Sequence, residues 1–327
     1  MRYLVTGATG FIGSALVPAL LKSGNAVRAL DNESRGARRR LSAVESQIEW
    51  FPGDIRNAST VSDAVKGVDA VCHLAAINGT EFFYTQPELV LEVAVKGMMN
   101  VIDACIEHGV GELFLASSSE VYQTPNKIPT DEKVALSIPD PLNPRYSYGG
   151  GKIISELLTL NYGLKKFRRA VIFRPHNVYG PDMGWEHVIP QLTLRLRELC
   201  HQTSGPVVLP IEGTGEETRA FVFIDDLVAG LLTVIEKGGH LGIYNIGTEE
   251  ERSIKQVAEE IGRYFGREVR IAPGKLKPGG TLRRCPDIKR TRALGYAPRV
   301  SLREGLAATI PWYVENADKK TAPASTS

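Results

Sequence analysis

Cysteine is scarce in this chain of 327 residues: Cys72, Cys105, Cys200 and Cys285 are widely separated, with no C-x-x-C spacing. With no secretory leader either, the reading is reduced thiols in a cytoplasmic protein. The six histidines, His73, His108, His176, His187, His201 and His240, are equally scattered, so no metal site is expected. Excess charge of one sign is missing too. The formal net charge of +2 gives no reason to expect nucleic acid or a membrane as partner. No uncharged apolar run reaches the roughly 20 residues of a membrane span. Internal repeats and a flexible interdomain linker are both absent. The basic run "RGARRR" at 35–40 is local and reads as a solvated loop, with contact to a cofactor phosphate as the other reading.

What is present is a rhythm. "RYLVTG", "AVRALD", "AVCHLAA" and "ELFLASS" are short apolar runs that alternate with segments of helical period, "FIGSALVPALLKSG" and 87–108 among them. That alternation predicts an α/β fold, a Rossmann-type doubly wound parallel sheet covered by helices on both faces. The second half is less regular and predicts a smaller, interleaved α/β C-terminal substrate domain. The expected division is 1–174 plus about 220–248 for the first domain and 175–219 plus about 249–312 for the second. Residues 313–327, ending in the small polar "ADKKTAPASTS" (317–327), read as a disordered tail.

"TGATGFIG" (6–13) lies between the first strand and the first helix. Gly7 permits a tight turn, Gly10 lets backbone approach a pyrophosphate, and Gly13 allows close helix–strand packing. Asp31 ends the second strand, where its carboxylate would accept from the adenosine ribose and repel a 2′-phosphate, which predicts NAD rather than NADP. "GDIR" (53–56) ends a third strand and places Asp54 and Ile55 at the adenine, with a helix cap as the other reading of Asp54.

"YSYGGGK" (146–152) sets Tyr148 and Lys152 one helical turn apart. A lysine cation there is expected to lower the phenol's pKa until tyrosinate serves as a base. Gly149, Gly150 and Gly151 cost a helix roughly 2–3 kcal/mol relative to alanines. Close approach of a flat cofactor or a sugar is the expected reason for them.

In these motifs, spread over about residues 1–310, the chain resembles the extended short-chain dehydrogenases/reductases, in the branch of NAD-dependent nucleotide-sugar epimerases and dehydratases. The resemblance implies a catalytic group of Ser118, Tyr148 and Lys152. The tyrosine takes a proton from a sugar hydroxyl while hydride passes to NAD, the serine bonds the same oxygen, and the lysine also holds the nicotinamide ribose. It further implies cofactor contacts from Phe11, Ile12, Asn32, Leu74, Ala75 and Ala76. "RPHNVYGP", "GTGEETRAFVFIDD" and "RRCPDIKRTRALGY" resemble the segments whose Asn177, Arg219 and Arg284 bind the substrate diphosphate. A homodimer through helices at about 89–108 and 148–164 follows by the same likeness. The strand "VVLPIEG" (207–213) is expected at the nucleotide base.

Two positions depart from the family pattern: Ala94, where asparagine is common, and Gln123, where glycine is common. Both, with the aromatic stretch "INGTEFFY" (77–84), are expected to shape the sugar pocket. Glu120, in "SSSEVYQ", is the residue that divides the possible reactions. Simple 4-epimerisation needs no second base. The 4,6-dehydratases use a glutamate at this position to take the C5 proton, and UDP-glucuronate decarboxylases also carry one there. A binding role or an arginine partner are the other readings. The expected activity is 4-epimerisation of a UDP-sugar or UDP-uronate through a 4-keto intermediate. The alternatives are a 4,6-dehydratase or decarboxylase using Glu120 and, more remotely, a non-catalytic NAD-binding sensor or scaffold.

Overall fold

The structure is a computed structural model, and it describes residues 1–275 and 281–319. Six short strands open the chain's regular structure: β1 (Arg2–Thr6), β2 (Ala26–Asp31), β3 (Ile48–Pro52), β4 (Ala70–His73), β5 (Glu112–Ala116) and β6 (Arg169–Pro175). Each of β1, β4 and β5 is almost wholly apolar and buried, as strands covered on both faces must be. The helices between them are α1 (Phe11–Lys22), α2 (Ala58–Val65), α3 (Thr80–Thr85), α4 (Pro87–Leu91), α5 (Gly97–Glu107) and α6 (Ser147–Lys166). A π-helical turn, Glu92–Lys96, joins α4 to α5 in one helical run, and Ser155 Oγ on α6 donates to the Ala94 carbonyl within it at 3.0 Å.

The second half supplies β7 (Val178–Tyr179), α7 (Val188–Gln202), β8 (Val207–Ile211), β9 (Thr218–Ala220), β10 (Val222–Phe223), α8 (Ile224–Lys237) and β11 (Gly242–Ile246). It continues with β12 (Glu251–Ser253), α9 (Ile254–Tyr264), β13 (Val269–Pro273), β14 (Arg283–Arg284), α10 (Lys289–Ala293) and α11 (Leu302–Glu315). β11 returns to the main sheet, whose seven parallel strands run β11-β6-β5-β4-β1-β2-β3. The order reverses between β1 and β4, and a crevice opens there at the carboxyl ends of the strands. One face of the sheet packs α1 and α8 through Leu16, Leu20, Leu227 and Leu231; the other packs α2 and α5 through Val61, Val65, Val101 and Ile102.

The remaining strands build small sheets beyond the crevice. β9 lies between β12 and β14, which sets Arg284 beside Arg219, and β8 pairs with β13. α11 extends to Glu315 with Tyr313 fully buried under Met183, and a short turn follows at Ala317–Lys319, so 313–319 are not the disordered tail expected there. The rest of that tail, 320–327, lies outside the described residues. Among the described residues no helix is long and apolar enough to cross a membrane, and the four cysteines are unpaired.

Candidate functional site

The crevice begins at the Gly7 turn. Gly7 has φ +69° and donates its N–H to the Leu30 carbonyl at 3.0 Å. A Cβ there would sit 2.8 Å from Ala75 Cα, and one on Gly13 would run into the Gly7 carbonyl oxygen. Both glycines are therefore required by approach of backbone to backbone, and the amide-lined opening at the start of α1 is what a pyrophosphate needs. Asp31, at the end of β2, accepts from the amides of Thr9 (2.9 Å) and Glu33 (2.7 Å). Asp54 is paired with Arg56 at 2.8 Å and receives Asn32 Nδ2 at 3.0 Å, and the Arg56 bonds hold its carboxyl below the usual range. The cap of α2 is Asn57, not Asp54.

Gly7, Gly10, Asp31, Asn32, Asp54, Ile55, Leu74, Ala75 and Ala76 line one cavity of about 90 Å³. It shares Gly7, Gly10, Arg35, Leu74 and Ala76 with a cleft of about 390 Å³ that Phe11, Ile12 and Gly13 continue. Ser118, Glu120, Tyr148, Lys152, Asn177 and Arg284 stand on the walls of that cleft. The residues expected at a dinucleotide thus line one continuous path, and the path fits an extended dinucleotide lying from Asp54 toward Tyr148.

The basic run is exposed at Arg35, Arg38 and Arg39, as a solvated loop is, but it is also tied down. Arg39 and Arg40 both bind Asp182, at 2.7 and 3.1 Å, tying the loop after β2 to the loop after β7. Arg35 lies over the Phe82 ring, 4.3 Å from its centroid, and donates to the Asn78 carbonyl at 2.8 Å.

At the reacting end, β5 leads into a 3₁₀ turn at Ser119–Tyr122, capped by Ser118 Oγ accepting from Glu120 N at 3.2 Å. Tyr148 sits in the first turn of α6, stacked on Phe83 with ring centroids 5.2 Å apart and 17° between planes. Lys152 Nζ donates to the Ala116 carbonyl at 2.7 Å and lies 5.8 Å from the Tyr148 ring centroid. The expected lowering of the phenol does not occur. Burial pushes Tyr148 up to about 12, the Ser118 hydrogen bond opposes this, and the Glu120 charge adds to it. Lys152 is itself pulled down to about 8 by burial, against the pull of Glu156.

None of the three glycines of α6 is on the cleft wall, and each has protein packed against it. A Cβ at Gly149 would strike Gln123 Nε2 and come 3.0 Å from the Glu120 carbonyl; at Gly151 it would sit 2.7 Å from Ala94 Cβ, and at Gly150 3.3 Å from Ile138. The two departures from the family pattern, Gln123 and Ala94, are therefore the residues packed on these glycines, and neither is on the cleft wall. Any influence they have on the sugar pocket is therefore indirect, through the Glu120 turn and the start of α6. Gln123 holds φ +51° where glycine is the easier residue, and its Nε2 donates to the Glu120 carbonyl at 2.6 Å. From the stretch 77–84, Asn78, Gly79, Thr80 and Phe83 do reach the cleft.

Glu120 is bound to Arg284 Nη1. Burial pushes its carboxyl up, but the charge and hydrogen bond of Arg284, with Arg145 and Arg219 behind them, outweigh that and hold it below the ordinary value. Asn177 reaches the cleft from a backbone with φ +41°, and its side chain donates to the Ala220 carbonyl at 3.3 Å. Arg219 does not line the cleft. Its guanidinium donates to the carbonyls of Thr218 (2.7 Å) and Thr281 (2.6 Å), and burial beside Arg284 lowers it to about 10. It braces the strand that carries Arg284. Strand β8, expected at the base, is present, but none of its residues is on the cleft wall.

Sequence reasoning missed what lies beneath. Ser117 Oγ and Arg174 both bind Glu156, Arg174 Nη2 at 2.6 Å, and both members of the ion pair are 2% exposed. Arg174 Nη1 donates to Tyr122 Oη at 2.6 Å, and Tyr122 donates to Asn245 at 2.9 Å. This buried network fixes the 117–122 turn against β6 and β11. A signal existed: Glu156 follows Lys152 by four residues, on the helix face that bears the reactive pair.

Residues 3–247 match the model of the NAD dependent epimerase/dehydratase family. The chain is 30% identical over 326 residues to the UDP-N-acetyl-alpha-D-glucosaminuronate decarboxylase of Bacillus cytotoxicus, covering 96% of this chain and 98% of that one. It is 31% identical over 333 residues to the UDP-glucose 4-epimerase of Mycolicibacterium smegmatis, covering 96% and 98%. A double mutant of DesIV, the dTDP-glucose 4,6-dehydratase of Streptomyces venezuelae, solved with NAD and DAU bound, superposes with a TM-score of 0.85 at 30% identity over 98% of each chain.

Proposed function

This chain belongs to the NAD-dependent epimerase/dehydratase family and is an NAD-dependent enzyme, and from that premise we propose that it 4-epimerises a nucleotide diphosphate sugar through a 4-keto intermediate. NAD, when bound along the cavity path, supplies the acceptor and donor of hydride at the sugar carbon. The chain supplies the proton chemistry. Tyr148, as tyrosinate, takes the proton of the C4 hydroxyl and later returns it; the Ser118 hydrogen bond is what opposes the burial that pushes the phenol up, and Ser118 holds the same substrate oxygen. Lys152, fixed to the Ala116 carbonyl, keeps the nicotinamide ribose and the phenol in register. Phe83 fixes the phenol ring by stacking. Asn177 and Arg284 take the diphosphate, with Arg219 bracing the strand of Arg284.

The observation that carries this reading is the ion pair of Glu120 with Arg284. Abstraction of the C5 proton calls for a carboxylate tuned up toward the working pH, and this one is held below its ordinary value. Elimination is thereby disfavoured, and Glu120 is a partner of the phosphate-binding arginine. Decarboxylation keeps one supporting observation, since the decarboxylase relative is as similar as the epimerase. Mass spectrometry and chromatography of the sugar product, after incubation with NAD and a panel of UDP-, GDP- and CDP-sugars, separate the readings. A new isomer of unchanged mass is expected. Loss of water or of carbon dioxide would overturn epimerisation.

Two lobes, 1–174 plus about 220–248 and 175–219 plus about 249–312, are proposed to close over the substrate. A homodimer is proposed through α4–α5 and α6, where Leu91, Ile154, Leu157 and Leu164 stand exposed, Leu157 at 55% and Leu164 at 62%. Light scattering should give twice the chain mass, and Leu157→Glu should shift it toward the monomer. A monomeric wild type would exclude this pairing.

A further inference from the structure

Arg145 stands in the short 3₁₀ turn Pro144–Tyr146 that leads into α6, three residues before Tyr148, and lines the same cleft wall as Glu120 and Tyr148. The turn is fixed from behind, since Asn143 Oδ1 accepts the Arg145 backbone N–H at 3.0 Å. The guanidinium, in contrast, makes no hydrogen bond or ion pair with any described residue, and its Nε is buried without a partner. Every other arginine near this end of the cleft is committed: Arg284 to Glu120 and Thr281, Arg219 to two carbonyls, Arg174 to Glu156. A buried N–H left unpaired costs about 1–3 kcal/mol, which a ligand with a matching acceptor recovers.

The chemistry of that ligand follows from position. With Asn177 and Arg284 assigned to the diphosphate, Arg145 is left for the sugar, beside the phenol that marks the reacting carbon. A neutral hydroxyl uses one of the five donors of a guanidinium and none of its charge, whereas a carboxylate takes two parallel N–H bonds and the charge as well. Glu120 sharpens the choice. It is already bound to Arg284, and Arg219 is spent on carbonyls off the cleft wall, so at the sugar end of that wall Arg145 is the guanidinium with no carboxylate bound to it among the described residues. We propose that Arg145 binds a carboxylate on the sugar ring, so that the substrates are nucleotide diphosphouronates and not neutral nucleotide hexoses. This rests on the assignment of Tyr148 as the group that meets the sugar.

The test uses NAD-loaded protein carrying Tyr148→Phe, so that ligands bind without turning over. UDP-, GDP-, dTDP- and CDP-glucose and the matching glucuronates are titrated by calorimetry. For the nucleotide that binds best, the glucuronate should bind about 10–100-fold more tightly than the glucose form, as a charged hydrogen-bonded pair implies. Arg145→Gln should erase that ratio, Arg145→Lys should keep part of it, and NAD affinity should stay unchanged in both. Equal or tighter binding of the neutral sugars, binding of no glucuronate, or a ratio unchanged by Arg145→Gln would overturn the proposal. The two readings fail separately. Wild-type epimerisation of a neutral hexose alone would sink the carboxylate site and leave epimerisation standing; carbon dioxide lost from a uronate would do the reverse.

Discussion

The two ends of the cleft are built on different principles. At the cofactor end, the determinants are backbone positions: a turn at Gly7 with φ +69°, Gly13 pressed on the Gly7 carbonyl, and Asp31 where β2 stops. At the sugar end they are side-chain pairs between segments far apart in sequence. Glu120 meets Arg284 across 164 positions, Tyr122 meets Asn245 across 123, and Arg174 meets Glu156 across 18. The first kind of site accepts one shape of ligand and tolerates change in the rest of the chain. The second kind can be retuned by exchanging single partners, which suits a family whose members share a cofactor and differ in the sugar chemistry they perform.

Substitutions at the sugar end probe that contrast, and the largest effect is expected at the phenol. Tyr148→Phe should lower turnover by ~10²–10⁴-fold, the range of a lost general acid–base group, while NAD binding, set by backbone at the other end of the cleft, stays within about twofold by calorimetry. A parallel loss of NAD affinity would mean that the ends are not separable. Next comes the network below. Glu156→Gln leaves the Arg174 charge buried without its partner, and breaking such a pair costs about 3–5 kcal/mol. Denaturant unfolding of the apoprotein measures this; a change under 1 kcal/mol would mean that Tyr122 and solvent suffice for Arg174.

Lys152 gives a smaller effect with a definite sign in pH. Burial lowers its folded pKa from the ordinary 10.5 to about 8, so below pH 8 the folded chain bears the cost of a buried cation. Between about 8 and 10.5 the folded amine is neutral while the unfolded one still holds its proton, and stability rises with pH across that window. At pH 7 the cost is of the order of 3 kcal/mol by the size of the shift, and loss of the Ala116 hydrogen bond returns about 1. Lys152→Met should therefore stabilise the apoprotein by roughly 2 kcal/mol at pH 7, and the gain should shrink toward pH 10. A gain that stays flat with pH would show that the amine is not desolvated in this way.

The same contrast decides what was legible in the sequence. "TGATGFIG", Asp31 and Asp54 could be placed because strand ends and glycine turns fix them locally. The partner of Glu120 could not, because nothing in "SSSEVYQ" refers to β14. The phenol's pKa was misjudged for a related reason. Helical spacing correctly set Lys152 near Tyr148, but spacing carries no measure of burial, and burial dominates both groups. Arg145 was passed over because an arginine's freedom is visible only after all its neighbours have been assigned partners.

The glycines of α6 offer the finest test, since the expected reason for them is a ligand and the structure sets protein against each, Gln123 against Gly149. Gln123→Gly relieves a left-handed backbone at φ +51° but loses the Nε2 bond to the Glu120 carbonyl. These oppose each other at about 1 kcal/mol apiece, so stability should move by less than about 1 kcal/mol and kcat hardly at all, because Gln123 is not on the cleft wall. Gly149→Ala is the informative partner. Its Cβ meets Gln123 Nε2 and the Glu120 carbonyl in the native chain, but only the carbonyl, at 3.0 Å, once Gln123 is glycine. Helix propensity favours the alanine by about 1 kcal/mol in either background. Gly149→Ala should accordingly be less harmful in the Gln123→Gly chain, with a coupling of about 0.5–3 kcal/mol typical of residues in contact. Strict additivity in the unfolding free energies, together with weakened NAD or sugar binding, would return the glycines to the ligand and place even this part of the helix under the rule of the cofactor end.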